Sequence, residues 1–173
     1  GAELVLSRRH VRRALTRGGR LVREPGVWPA MVGLHAAFLV VPAIEVVVLR
    51  RPFLPALAVP ALVVACAAMT LRYWAIATLG DRWSTRVIAV PGEPAVVDGP
   101  YRRLRHPNYL AVGLELAALP LVHTAWLSAI GFSLANGWLL ARRLRTEEAL
   151  LAELADYDAR LGSRRAFLPG GGS

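Results

Sequence analysis

"FLPALAVPALVVACAAMTLRYWAIATL", residues 53–79, runs for 27 residues with a single charge, Arg72. A helix of that length is about 40 Å long and outruns the roughly 30 Å hydrocarbon core of a bilayer. The stretch therefore reads as a membrane span. Two other apolar runs flank it. Residues 27–49 form a 23-residue run interrupted by Pro29, Pro42 and Glu45, and residues 109–141 form a 33-residue run whose one charge is Glu115. As a single helix the last run reaches roughly 50 Å, yet it is short for two full spans, so it reads as a hairpin of two short or tilted helices turning near 120–124. The expected fold class is all-α: a polytopic integral membrane protein with about four transmembrane segments, the last two a hairpin, plus interfacial N- and C-terminal helices.

Composition agrees. The 173 residues are 55% hydrophobic and only 19% charged, with a mean hydropathy of +0.42, too apolar for an ordinary soluble domain of this size. Net charge is +9, and all 21 basic residues are arginine. Such a balance suits nucleic acid or an anionic membrane surface. The long apolar runs exclude the nucleic-acid reading. The single Cys66 lies inside an apolar run, so neither a disulfide framework nor a cysteine metal site is expected.

Arginine placement orients the spans. Seven fall before Val27, five between Asp81 and Arg105, and six from Arg142 to Arg165, against two, Arg50 and Arg51, in the remaining clear loop. The positive-inside bias puts both termini and the loop 80–108 on the cytoplasmic face. No cleavage-site pattern marks the first 26 residues as a signal peptide. "LVLSRRHVRRAL" (4–15) reads as an interfacial helix on anionic lipid. After the last span, "RTEEALLAELADYDARL" (145–161) places Leu150, Leu151, Leu154, Tyr157 and Leu161 at helical spacing among acids, an amphipathic helix with too many charges to cross. Three regions follow: a basic interfacial segment 1–26, two transmembrane helices 27–79, and a catalytic region 80–170 holding the loop, the hairpin and the amphipathic helix.

Two polar clusters interrupt this apolar chain. In "GPYRRLRHPNYLAVGLE" (99–115), Gly99-Pro100 signals a turn and Pro107 biases His106 away from helix, so the chain arrives extended at the cytoplasmic end of the third span. Extended backbone at membrane depth is tolerated only where protein or a polar ligand covers it. In "RRLRTEE" (142–148), Arg143 and Glu147 lie four apart on one helix face, a spacing that by itself is commonplace.

The joint order of "RYWAIATLGDRW" (72–83), "VPGEPAVVDGPYRRLRHPNYLAVGLE" (90–115), "RLRTEEALL" (143–151) and a later "DY" before "FLPG" resembles the isoprenylcysteine carboxyl methyltransferase (ICMT) family, membrane enzymes that use S-adenosylmethionine. The resemblance covers roughly residues 71–170. It is nearer to the family's bacterial branch, which resembles alkylpyrone and alkylresorcinol O-methyltransferases, through "RYW", "LGDRW" and "HPNYLAVGLELAALPL". Position by position, the resemblance implies that Pro94, Ala95, Val96, Val97, Tyr101, His106, Pro107, Asn108 and Tyr109 enclose the methyl donor. It implies likewise that the Glu147 carboxylate contacts the donor and that Arg143 faces the acceptor. Arg86 falls where another donor contact occurs. The YxxY of many relatives stands here as Tyr157-Asp158-Ala159-Arg160, without its second tyrosine, and that end is left out of the site.

The chemistry is consistent with that assignment. Tyr101 and Tyr109 could stabilise a sulfonium by about 0.5–2 kcal/mol each, and a carboxylate such as Glu147 suits ribose hydroxyls. Methyl transfer is an in-line displacement governed by alignment and water exclusion, with no metal required. A carboxylate acceptor needs only a positive partner such as Arg143. A phenol or enol must also lose its proton, for which Glu115 is the first base candidate and His106 the second; a structural pair with Arg72, Arg143 or a backbone donor is the other reading of Glu115. Glu45 and Arg72 read as structural or snorkelling charges, with a mutual pair disfavoured by their different depths. The expectation is thus S-adenosylmethionine-dependent O-methylation of a lipophilic acceptor, preferably a long-chain phenolic or pyrone hydroxyl. Alternatives are carboxyl methylation of a prenylcysteine-like substrate, N-methylation of a phospholipid amine, and a non-catalytic scaffold whose arginines bind acidic lipid. Partners are membrane lipids and the lipophilic substrate, without nucleic acid.

Overall fold

The structure, a computed structural model, describes residues 2–154. Tyr157, Arg160 and Leu161, with the end of the 80–170 region, lie outside the described residues. The chain is mostly helical, in the order α1 (Ala2–Thr16), β1 (Arg20–Leu21), α2 (Val27–Phe38), α3 (Val41–Val48), α4 (Pro55–Leu79), β2 (Ile88–Ala89), α5 (Pro107–Leu121) and α6 (Trp126–Leu154), with 3₁₀ turns at Gly80–Arg82 and Gly99–Arg102. Strand pairing among the described residues is one short antiparallel ladder, Arg20 opposite Ala89 and Leu21 opposite Ile88. Among the described residues, two stretches are long and apolar enough to cross a membrane, Val27–Val48 and Pro55–Arg82. The chain divides into two compact units.

One unit holds Gly26–Tyr73 and Asn108–Ala141. Its apolar surface is turned outward. Along α4 the small residues Ala58, Ala61, Ala65 and Ala68 are buried at helical spacing, while Val59, Leu62, Val63 and Met69 are exposed. Small residues let helices approach closely, and large apolar ones facing out suit hydrocarbon rather than water. The first run is broken as its prolines imply. The chain ends α2 with tightened bonds from Leu39 N to Ala36 O and Val40 N to Ala37 O, then restarts at α3 with Pro42 in its first turn, where a missing N–H costs nothing.

The buried Glu45 does what the sequence did not disclose. Its carboxylate accepts from the backbone N–H groups of Leu127 (3.2 Å) and Ser128 (2.7 Å) and from the Ser128 hydroxyl (2.7 Å), capping the start of α6, and Arg51 pairs with it at 2.8 Å. A carboxylate at a helix N-terminus satisfies orphan donors and the helix dipole together. The phenyl rings of Phe38 and Phe132 meet edge-on at 5.2 Å and pin α2 to α6. The turn between α5 and α6 falls where expected. Thr124 takes a left-handed φ of 53°, unusual for a β-branched residue, and its buried hydroxyl donates to the Pro52 carbonyl at 2.7 Å.

The other unit holds the N-terminal segment to Pro25, Trp74–Pro107 and the chain from Arg142. Within it α1 docks by a polar stripe. Ser7, His10 and Ala14 share one buried face. Ser7 Oγ accepts from the Thr85 N–H at 2.9 Å, His10 Nδ1 lies 2.8 Å from the Trp83 carbonyl, and Arg13 grips both oxygens of Asp81. The opposite side of α1 exposes Arg8, Arg9 and Arg12 with Val5 and Leu6, the residue mix expected of a helix at a lipid surface.

One expectation is modified. A separate amphipathic helix after Ala141 is not seen: α6 continues unbroken from the apolar run through Arg142–Glu148 to Leu154. The reason is local, since no glycine or proline falls between Leu139 and Leu154, and Arg143 and Glu147 sit at a supportive four-residue spacing.

Candidate functional site

The loop 80–107 is shaped by glycine and proline. Gly99 has φ 52°, and a Cβ there would lie 2.5 Å from Thr78 Oγ1 and 3.0 Å from Trp74 Nε1, so both the backbone and the close approach demand glycine. Behind it the Tyr101 N–H bonds to the Asp98 carbonyl and the Leu104 N–H to the Pro100 carbonyl. This tight turn buries Pro100 and Tyr101. His106 is buried immediately before Pro107, which opens α5 in the first turn, where an N–H has no intrahelical acceptor.

From α6 of the same unit, Glu148 reaches this turn. Its Oε1 lies 3.0 Å from His106 Nε2 and 3.4 Å from Arg105 Nη1. The "RHP" and "RTEE" segments, 42 residues apart in sequence, therefore meet directly. One turn earlier on α6, Arg143 is 5% exposed and its Nη2 donates to the Thr85 carbonyl at 2.7 Å. Glu24, on the segment after β1, feels Arg143, Glu147 and Arg86. Burial pushes its carboxyl above the usual carboxylate range, with Glu147 adding to the rise and the two guanidinium groups opposing it. Its Oε1 is buried without a hydrogen-bond partner.

The segment 94–97 is held from outside. Arg82 donates from Nη1 to the Pro94 carbonyl at 2.6 Å and pairs through Nε with Glu93 at 3.3 Å; Arg17 of α1 meets Glu93 at 2.9 Å. Pro94 is exposed, and Ala95, Val96 and Val97 are half-buried.

In the other unit, Asn108 and Tyr109 occupy the first turn of α5, and Asn108 Oδ1 is buried with no partner. Glu115, one of the proposed reactive groups, gives Oε2 to Arg72 at 2.8 Å and keeps Oε1 buried and unpartnered. The Arg72 pair is one of the structural partners that the sequence reading set beside a base. Of the named residues, Arg143, Glu147, His106, Pro107, Tyr101 and Pro94–Val97 belong to one unit, and Asn108, Tyr109 and Glu115 to the other. Sequence reasoning passed over Glu148 in favour of its neighbour Glu147, and it passed over Glu24 and the Thr85 carbonyl altogether. The doubled acid in "TEE" was the signal available for Glu148; "VREPG" around Glu24 carried none.

These observations define a class first: a mostly helical protein with, among the described residues, two helical stretches apolar enough to cross a membrane, whose acidic and basic side chains gather around a proline-rich loop and the polar end of its last described helix. Comparison with known proteins makes the class specific. A model of the Isoprenylcysteine carboxyl methyltransferase (ICMT) family matches residues 61–153. The chain belongs to this family of membrane methyltransferases. It is also 31% identical over 153 residues to the uncharacterized protein YpbQ of Bacillus subtilis (strain 168), covering 88% of this chain and 89% of that one. No solved structure matches.

Proposed function

We propose that the protein is an S-adenosylmethionine-dependent O-methyltransferase of a bacterial inner membrane, with the donor reached from the cytoplasm and a lipophilic acceptor drawn from the bilayer. The preferred acceptor is a long-chain phenolic or pyrone hydroxyl. The observation that carries the reading is the contact of His106 with Glu148, which ties the two polar segments that the family resemblance assigns to the donor.

The residues suit the donor. Asn108 Oδ1, buried and unpartnered, can accept a hydrogen bond from a ligand hydroxyl or amine. Tyr101 and Tyr109 offer aromatic faces, and Glu147 offers a carboxylate to ribose hydroxyls. Pro94–Val97, His106 and Pro107 supply the enclosing backbone and side chains. When bound, S-adenosylmethionine supplies a methyl group activated by its sulfonium. Arg143 orients the acceptor. A hydroxyl acceptor must lose its proton, and Glu115 is the proposed base, Arg72 fixing one carboxylate oxygen while Oε1 is left for the proton.

The test is transfer of a labelled methyl group from S-adenosylmethionine by the purified protein in lipid vesicles. A labelled methyl ether on a long-chain phenol or pyrone supports the reading. A methyl ester on a prenylcysteine analogue, with no ether formed, overturns the acceptor assignment, and no transfer to any acceptor overturns the reading as a whole.

A further inference from the structure

The family match begins at residue 61, so it assigns nothing to the N-terminal segment. That segment nevertheless brings a carboxylate, Glu24, within the electrostatic influence of Arg143. Leu21 pairs with Ile88, and the Val22 N–H bonds to the Val87 carbonyl at 3.0 Å, so the chain leaving β1 runs alongside Arg86 and Thr85. Thr85 in turn holds Arg143 through its carbonyl. Glu24 arrives two residues after Val22, with Arg143, Glu147 and Arg86 as its charged neighbours and with Oε1 buried and unpartnered. A buried carboxylate oxygen with no donor is an unmet demand for a hydrogen bond.

The charges around Arg143 decide what it can attract. Alone, a buried guanidinium draws a carboxylate in bidentate fashion. Among the described residues, the charges acting on Glu24 are the guanidinium groups of Arg143 and Arg86 and the carboxylate of Glu147, and Arg143 already gives Nη2 to the Thr85 carbonyl. A carboxylate acceptor that approaches Glu24 meets a like-charged oxygen without a hydrogen-bond partner. A hydroxyl acceptor can donate to that oxygen. The raised proton affinity of Glu24 agrees with a site poorly supplied with donors until such a ligand arrives.

We propose that Glu24 is a specificity-determining residue: its carboxylate, within the field of Arg143, accepts a hydrogen bond from a hydroxyl acceptor as that acceptor docks, before the proton is lost in the transfer, and turns a carboxylate acceptor away. This rests on the proposed O-methylation and identifies what sets its acceptor class.

The experiment uses the full chain in lipid vesicles, with S-adenosylmethionine binding measured calorimetrically and kcat/KM measured for a long-chain phenol and a prenylcysteine carboxylate analogue. Glu24→Gln is expected to leave donor affinity unchanged, to lower kcat/KM for the phenol about tenfold and to raise it for the carboxylate, moving their ratio roughly 100-fold. Glu24→Asp, which keeps the charge, is expected to retain the wild-type order of the two acceptors. Equal losses on both acceptors, no change in the ratio, or the same shift in Glu24→Asp overturns the role of Glu24 while donor binding and ether formation by the wild type leave the proposed function standing. A wild type that neither binds donor nor methylates either acceptor overturns both.

Discussion

Nε2 of the buried His106 lies 3.0 Å from Oε1 of Glu148. The proline-fixed turn before α5 is thereby tied to α6, and Glu148 holds Arg105 as well. If His106 contributes to donor binding, Glu148 positions it. Glu148→Ala is expected to weaken S-adenosylmethionine binding about tenfold, the loss of roughly one net hydrogen bond to a charged partner. Isothermal calorimetry on detergent-solubilised protein checks this, and Glu148→Gln should lose less because its side-chain oxygen still accepts.

Gly99→Ala is expected to destabilise the protein by about 1–3 kcal/mol through positive φ and crowding against Thr78 and Trp74. Thermal unfolding in detergent reads the loss. A variant with unchanged unfolding would mean that the turn relaxes elsewhere at no cost.

Glu45 closes four donors at once, two backbone N–H groups, one hydroxyl and the Arg51 guanidinium. Glu45→Ala strands all of them in a buried place. A loss of about 3–5 kcal/mol is expected, as for breaking a buried ion pair from one side, with Ser128→Ala costing much less. The comparison of the two midpoints separates the cap from the serine alone.

For Glu115 the structural pair and the base make different forecasts. As a base, Glu115→Gln cuts turnover on a hydroxyl acceptor by about 10²–10⁴ and leaves a carboxylate acceptor and donor binding nearly untouched. As a partner of Arg72 only, its loss lowers stability and affects both acceptors alike. Turnover on both acceptors, measured beside the unfolding midpoint, decides between them.

Glu24 also makes a pH forecast. Burial holds its carboxyl above the ordinary value of 4.5, so the folded protein keeps that proton more tightly than the unfolded chain. The resulting stability is complete below the unfolded value and is lost as pH rises through the raised folded value. Glu24→Gln should therefore unfold a little later than wild type at neutral pH, by about 1–2 °C for a screened, half-buried group. The difference should vanish below about pH 4.

How far the sequence carried can be judged residue by residue. Apolar helical segments were legible because apolar length is a direct physical requirement of hydrocarbon, and the turn near Thr124 followed from proline and spacing, whereas the run 27–49, read as one span, is divided into α2 and α3. The meeting of "RHP" with "RTEE" was legible only through their joint order, and the bond that joins them, between Glu148 and His106, was not named. The partners of Glu45 were not legible, since residue depth along a run does not reveal which helix faces which, whereas Arg72 was among the partners named for Glu115 and is the one it meets. Glu24 was invisible for a similar reason: a two-residue ladder, Arg20 with Ala89 and Leu21 with Ile88, brings it to Arg86 and Arg143, and nothing in "VREPG" marks it.

The most direct measurement is a titration of S-adenosylmethionine into the solubilised wild type, His106→Ala and Glu147→Ala, with circular dichroism to show that each is folded. Saturable one-site binding by the wild type, abolished or weakened at least tenfold in both folded variants, is the predicted result. Undiminished binding to both variants, or none to the wild type, contradicts the account.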